Sequence, residues 1–597
     1  MQKLSLQERK ELIEAAMGKR PFDLVITNVQ LVNVFTGEIY PAAIGVYNGY
    51  IAHVEADPDA AEARIDTSTW EAKEVIDGQG HYLIPGLIDA HVHIESSMLT
   101  PANFAELVIP HGTTTVITDP HEIGNVLGKE GVRYMIEASE GLPMNQYILV
   151  PSSVPAVPGF EEAGAEFLAE DVAEMLEWER TIGLAEVMDF PGVIHSSDRM
   201  STILEETLRR NLYIQGHAPT LTGRELSAYL CAGPTSDHEV NLGAEAREKL
   251  RMGMHVDARE SSITRNLAAI IPAVKDFAFP PNLDFCTDDR EADDLLHIGH
   301  MNDVVRRAIE EGLPPVYAIR CATYNTAQSI GLRRMGAVAP GYVADLVLVP
   351  ELEKMEPSQV FVAGRLVAKD REMVVEIPRR QFAIESRNTV EVDELSSEDL
   401  KISAPIESGQ ISTRVITYRT EETLFSDFAI EEVPVVDGQL DISSLPDINY
   451  VAVFNRHGAG NRSLGLIQNF GLKSGAIAST VSHDSHNLTV VASNPEDGAL
   501  AANTLRECGG GIVCVQDGKV KALLPLPVAG LMSTLSGREL SEQVRALKVA
   551  LKEMGLPGEN PVLRIASLTL PVIPKAKITD LGLFSVIDQR FVDLFVE

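Results

Sequence analysis

Positive charge is scarce in this chain. Fifty Lys and Arg stand against 86 Asp and Glu, a formal net charge of −36. Such a surface repels a phosphate backbone or an anionic lipid face, so neither nucleic acid nor a membrane is expected as a partner. Cysteine is also scarce. Cys231, Cys286, Cys321, Cys508 and Cys514 are scattered, odd in number, and form no CxxC pair. They read as reduced thiols of a cytoplasmic protein, not as a disulfide framework. Long apolar runs are missing too, and none approaches the ~20 residues of a membrane-spanning helix. The opening segment, MQKLSLQERKELIEAAMG, is amphipathic and charged, without the apolar core of a signal peptide.

What remains is the composition of a globular protein, 45% hydrophobic and 23% charged over 597 residues, enough for two or three domains. Residues 5–18 read as a helix. Asp23–Gly37 and Ala42–Ala56 read as β-branched strands with Gly and Asn turns. From Tyr82 the texture changes to short apolar runs alternating with helical stretches. Gly112–Asp119, Gln146–Ser152, Gly183–Asp189, Leu212–Ala218 and Leu283–Asp289 are the strand candidates, with Glu166–Glu179 and Asp303–Gly312 as helices between them. That alternation predicts a parallel α/β barrel of the (β/α)8 type. Sheet-like segments return at Gly336–Val349 and Gln359–Ala368. The expected layout is a small β-sandwich domain split into residues 1–81 and 336–384, with the barrel, residues 82–335, inserted in it. A polar stretch, 385–405, reads as a linker. It opens a C-terminal α+β domain, 385–597.

In such a barrel, chemistry gathers at the C-terminal strand ends. The first strand ends in LIDAHVHIE, where His91 and His93 fall on one side of the alternation and suit two ligands of one metal. Later strand ends carry Glu186, His217, His238 and Asp288. Singly these residues read blandly: His217 as a satisfied core histidine, Glu186 as an ion-pair partner, Asp288 with Asp289 as a helix cap. Together, in order, the four imidazoles and two carboxylates suffice for two divalent ions.

The strings HVHIESSM, DPHEIGNVLG, GHAPTLTG, TSDHE and FCTDDREADDLLHIGH resemble the adenine deaminase family of the amidohydrolase superfamily. So do GAIASTVSHDSHN and LPVAGLMS near the C-terminus, so the resemblance spans nearly the whole chain. Two stretches depart from the family's pattern, HVDARESS (His255–Ser262) and NRHGAGN (Asn455–Asn461); neither contains a candidate ligand. The resemblance implies hydrolytic conversion of adenine to hypoxanthine and ammonia in purine salvage. It further implies that His91, His93, Glu186 and Asp288 hold one ion and that Glu186, His217 and His238 hold the other. Mn or Fe is the expected metal, with Zn as the other option. Glu186 would bridge, the job of a carboxylated lysine in many relatives, and its strand segment, GLAEVMD, contains no lysine. Two metals lower the pKa of water and supply hydroxide near neutral pH.

Within that scheme Glu186, His238 and Asp288 are the catalytic residues, with Asp288 as proton shuttle and Asp289 a structural neighbour. Glu95, with Ser96 and Ser97, is expected either at the purine edge or behind a ligand histidine. Asp119, His121 and Glu122 are expected to bind substrate, orient the ligands or hold a further ion, with helix capping as the alternative for Asp119. His483, Asp484 and His486 carry metal-ligand chemistry, but the reading preferred here is a buried turn at a domain interface. A homodimer is expected. The alternatives are a cyclic-amide hydrolase resembling dihydroorotase or hydantoinase, and a non-catalytic scaffold.

Overall fold

Strands buried on both faces belong in a parallel sheet sheathed by helices, and the segments after residue 86 have that character. The computed structural model describes residues 4–596 apart from 58–64, 263, 279, 419–425, 559 and 574. In it, β1 (Leu87–Val92) and β2 (Thr113–Thr118) are buried along their whole length. They run parallel to β3 (Asn145–Val150), β4 (Thr181–Val187) and β5 (Tyr213–Gly216) in one five-stranded sheet. A second, three-stranded sheet holds β6 (Ser236–Asp237), β7 (His255–Arg259) and β8 (Leu283–Cys286). Two seams close the ring. Thr235 N–H donates to the Ile214 carbonyl at 3.1 Å, and Asp288 N–H donates to the His91 carbonyl at 3.0 Å. The result is the expected (β/α)8 barrel.

Two sequence expectations need adjustment. The helix expected over 166–179 spans only Ala169–Met175; turns follow it as far as Arg180, whose left-handed conformation (φ +68°) leads the chain into β4. Strand β7 was not expected. Its sequence, HVDAR, carries charge at alternate positions and does not look buried, yet four of its five residues are.

Tyr82–Pro85, just before the barrel, pairs antiparallel with Leu346–Val349, just after it. Both belong to a nine-stranded sheet that also contains Phe22–Asn33 and Arg365–Lys369. The helix at Leu6–Ala16 packs beside this sheet and starts at a Ser5/Glu8 capping box. A separate nine-stranded sheet occupies the C-terminal region, covered by the helix Pro495–Cys508. The polar stretch expected as a linker is pinned to this region, with Glu391 N–H bonded to the Arg456 carbonyl (2.9 Å) and Leu395 N–H to Asn503 Oδ1 (2.9 Å).

The C-terminal region folds over the barrel mouth. Thr579 Oγ1 donates to the Phe160 carbonyl (2.6 Å), Asn487 Nδ2 to the Glu162 carbonyl (2.9 Å), and Asn103 Nδ2 to the Leu535 carbonyl (2.6 Å). Lys548, on the helix Gly537–Glu553, pairs with Glu291 and Asp293 of the barrel. Among the described residues no helix is long and apolar enough to cross a membrane.

Candidate metal centre

The ends of β1, β4, β5, β6 and β8 deliver six side chains to one point. Glu186 is at its middle. Its Oε1 lies 3.3 Å from His93 Nε2 and 3.8 Å from His91 Nε2, while its Oε2 lies 2.6 Å from His217 Nδ1 and 3.2 Å from His238 Nε2. Asp288 Oδ1 closes the group from β8, at 3.4 Å from His93 Nε2 and 3.6 Å from His91 Nε2. All six residues are buried. Asp288 sits at φ +57°, a left-handed conformation that Asp tolerates better than most residues and that turns its carboxylate inward. Gly216 allows β5 to approach β6. A Cβ there would stand 2.0 Å from the Ser236 carbonyl oxygen, so only glycine can precede His217 without parting the strands.

The ring nitrogens show what the cluster is built to hold. Gln215 Nε2 donates to the Ala90 carbonyl (3.0 Å), which leaves its oxygen to accept from His91 Nδ1 (2.8 Å). The Asp119 carbonyl accepts from His93 Nδ1 (3.0 Å). In both neutral rings the proton is thereby fixed on Nδ1, and a bare Nε2 lone pair faces carboxylate oxygens. His91 Nε2 is buried with no hydrogen-bond partner. Lone pairs and anionic oxygens repel unless a cation lies between them, so this donor set fits divalent metal. Without a cation the same carboxylates draw a second proton toward His93: burial opposes its charge, but Asp288 and Glu186 overcome it and hold its pKa well above the ordinary value, and a metal ion would take that proton's place. Burial likewise opposes charge on Glu186, and His238, His217 and His93 overcome it and hold its carboxyl well below the usual range.

Residues that the sequence did not single out hold this geometry. Gln215 is one. Arg259, at the end of β7, is another: its guanidinium pairs with Asp288 and takes both oxygens of Glu239, at 2.7 and 2.9 Å. A cation among strand-end acids was the available signal. Lys249 is fully buried and donates to Asp237 Oδ2, Glu245 Oε1 and the Ala218 carbonyl, each at 2.6 Å. Asp237 Oδ1 in turn accepts the backbone N–H groups of Ala218 (2.8 Å) and Glu239 (3.1 Å). One ammonium thus clamps the turns carrying His217 and His238.

The candidate substrate or supporting residues fall into place unevenly. His121 is at the cluster's edge, with Nδ1 3.1 Å from Asp119 Oδ2 and 3.6 Å from Glu186 Oε1. Asp119 caps no helix, since helix His121–Ala138 has no side-chain cap. Ser96 Oγ lies 2.5 Å from Glu122 Oε1 and 2.6 Å from Asp289 Oδ1. One hydroxyl proton cannot serve both, and burial together with neighbouring Asp288 lifts the Asp289 carboxyl to about 6. Glu95 accepts from Ile123 N–H (3.4 Å), bonds no ligand histidine and does not line the cavity; burial and then Glu122 push its carboxyl to about 8.

A cavity of about 640 Å³ opens above the cluster. Its floor includes His93, Glu186 and Asp288, and its apolar wall includes Phe190 of the barrel and Leu563 and Ile573 of the C-terminal region. His483 and Asp484 also line it. His486 lies behind them, fully buried, with Nε2 3.8 Å from Glu122 Oε2.

A family profile described as amidohydrolase family matches residues 82–367, and one described as adenine deaminase C-terminal domain matches residues 423–590. An adenine deaminase of Thermosipho africanus is 44% identical over 594 residues, covering 98% of this chain and 99% of that one. One from Kosmotoga olearia is 42% identical over 588 residues, again covering 98% and 99%. Among solved structures, a β-aspartyl dipeptidase of Fervidobacterium islandicum AW-1 aligns with 59% of this chain and 99% of its own, at 18% identity and a TM-score of 0.44.

Proposed function

The chain belongs to the adenine deaminase family of the amidohydrolases, and from that premise we infer that it removes the 6-amino group of adenine by hydrolysis, giving hypoxanthine and ammonia. The observation that carries the reading is the buried Glu186, ringed by imidazoles whose bare nitrogens face carboxylate oxygens under a cavity large enough for a purine.

His91, His93, Glu186 and Asp288 would hold one divalent ion and Glu186, His217 and His238 a second. Mn or Fe is the metal proposed, with Zn the other that these ligands accept. Such ions would lower the pKa of water so that hydroxide is available to attack C6 near neutral pH. The remaining work falls to side chains. Asp288 is held from both sides: its Oδ1 faces His91 and His93, and its Oδ2 is the partner of Arg259. It takes the proton of the attacking water at Oδ2 and returns it to the departing amine. Burial raises the Asp288 carboxyl, but Arg259 overcomes that and holds it well below the usual range. Transfer therefore requires the guanidinium to lean onto Glu239, which already grips it twice. The apolar wall excludes bulk water from the reacting carbon.

The test is ammonia release from adenine by Mn- or Fe-loaded protein, beside an Asp288→Asn variant. Turnover that falls about 10²–10⁴-fold in the variant is the expected result. No turnover of adenine with any of these metals would overturn it.

A further inference from the structure

The cavity has a second built feature, on the side of the C-terminal region. Two carboxylates in its wall have a buried oxygen without a hydrogen-bond partner, Glu122 Oε2 and Asp484 Oδ2. The Glu122 oxygen faces the Nε2 of His486 at 3.8 Å. Asp484 has His121 Nε2 and His483 Nδ1 at 3.7 and 3.8 Å from its Oδ1, and among the described residues no hydrogen bond reaches its Oδ2. Asp484 is itself almost fully buried, at 3% exposure. Its turn is fixed by main-chain bonds: His483 N–H to the Ala566 carbonyl (2.9 Å), Thr569 Oγ1 to the His483 carbonyl (2.8 Å) and His486 N–H to the Ser482 carbonyl (2.8 Å). An acceptor that is held in place, buried and unpaired by the protein carries a desolvation cost until a donor arrives.

Its position suits one donor of the substrate. His121 stands between Glu186 and Asp484, 3.6 Å from Glu186 Oε1 at Nδ1 and 3.7 Å from Asp484 Oδ1 at Nε2. Asp484 is thus one imidazole's breadth and two contacts away from the central carboxylate. A purine whose C6 lies over the Glu186 cluster carries its imidazole-ring N–H on the far side, within that span. We propose that Asp484 accepts a hydrogen bond from N9–H of adenine, so that the C-terminal region selects the free base over purines substituted at N9. This rests on the adenine reading above. A buried acceptor built for a substrate N–H rejects analogues that lack it, because the acceptor then stays unpaired and its space is filled.

The test uses the full-length, Mn(II)-loaded protein as wild type, Asp484→Ala and Asp484→Asn. Hypoxanthine and 9-methylhypoxanthine are measured as competitive inhibitors of adenine deamination, and adenine kinetics and bound Mn are measured in parallel. In Asp484→Ala the Ki of hypoxanthine and the KM of adenine should rise roughly 30- to 100-fold. The Ki of 9-methylhypoxanthine should hold or tighten, and kcat and Mn content should stay near wild type. Asp484→Asn keeps an acceptor oxygen and should fall between, and it provides the same ratio if the alanine variant does not fold. Parallel losses for both inhibitors, lost Mn, or no change in either would overturn the proposal while leaving adenine deamination standing. Wild-type protein that releases no ammonia from adenine would overturn the functional reading and this inference with it.

Discussion

Two clusters of histidine and carboxylate lie a few ångströms apart in this molecule, and their chemistry differs. Around Glu186 the rings of His91 and His93 give their Nδ1 protons to Gln215 and to the Asp119 carbonyl, so Nε2 is a bare lone pair turned toward the acids. Around Glu122 the order is reversed. Ser482 N–H donates to His486 Nδ1 at 3.2 Å, so that nitrogen is the acceptor and the neutral ring carries its proton on Nε2, facing Glu122. Burial, then His483 and the buried Arg456, hold His486 well below its ordinary pKa, so the ring is neutral. Glu122, His483 and His486 are close enough to share an ion, but the nitrogen that His486 turns toward Glu122 carries the proton; at 3.8 Å it makes no hydrogen bond, and without a lone pair there the neutral ring offers no ligand. Residue type and distance do not separate the clusters; the hydrogen bond on the back of each ring does.

Removing the centre of the first cluster should break the comparison most severely. Glu186→Gln keeps the shape but takes away a charge that lies within 3.8 Å of five imidazoles. Metal analysis of the purified variant should show bound divalent ion reduced to one equivalent or less, and kcat/KM for adenine should fall by about 10⁴-fold. A variant that kept full metal and most of its activity would mean that Glu186 is not the shared ligand.

The candidate cluster was legible in the sequence for a physical reason. A parallel barrel buries both faces of its strands, so a His, Glu or Asp at a strand end interrupts an apolar run and stands out, as His91, Glu186 and Asp288 do. What holds them was less legible. Gln215 is uncharged and interior to its strand. Arg259 ends a strand whose alternating charges, His255, Asp257 and Arg259, conceal its burial. Lys249 belongs to GAEAREKLR, which reads as a surface helix and gives no sign that its ammonium is sealed inside. For Asp484 the missing information was topological: nothing local says that HDSHN, over 360 residues beyond the first ligands, folds across the barrel mouth.

Lys249 measures how much the first cluster owes to that concealed support. Lys249→Met removes the ammonium but leaves Asp237 and Glu245 buried side by side, which should cost about 3–5 kcal/mol of stability. Loss of the clamp on the turns of His217 and His238 should also weaken metal binding by about 10–100-fold in a chelator competition. Thermal unfolding read with and without saturating metal separates the two effects, since bound metal stabilises only as far as its affinity allows. A variant that unfolded earlier yet bound metal as tightly as wild type would show that the clamp serves the fold and not the site.

The smallest effect should come from the second cluster, and it is the sharpest check on the comparison. Glu122→Gln and His486→Gln both remove a member of a group that looks competent to hold an ion. If the Ser482 hydrogen bond fixes the proton of His486 on Nε2, neither substitution removes a ligand. Bound metal per chain should then equal that of wild type, and kcat/KM for adenine should move by less than about 10-fold, the lower end of what the loss of an outer supporting group costs at a metal site. The neutral Gln at position 122 should be the better tolerated, because Ser96 can still donate to its amide oxygen as it does to the carboxylate at 2.5 Å. Loss of a full equivalent of metal in either variant would mean that His486 gives up its Nε2 proton to an ion, and the hydrogen bond behind a ring would no longer suffice to tell a donor from a ligand in this protein.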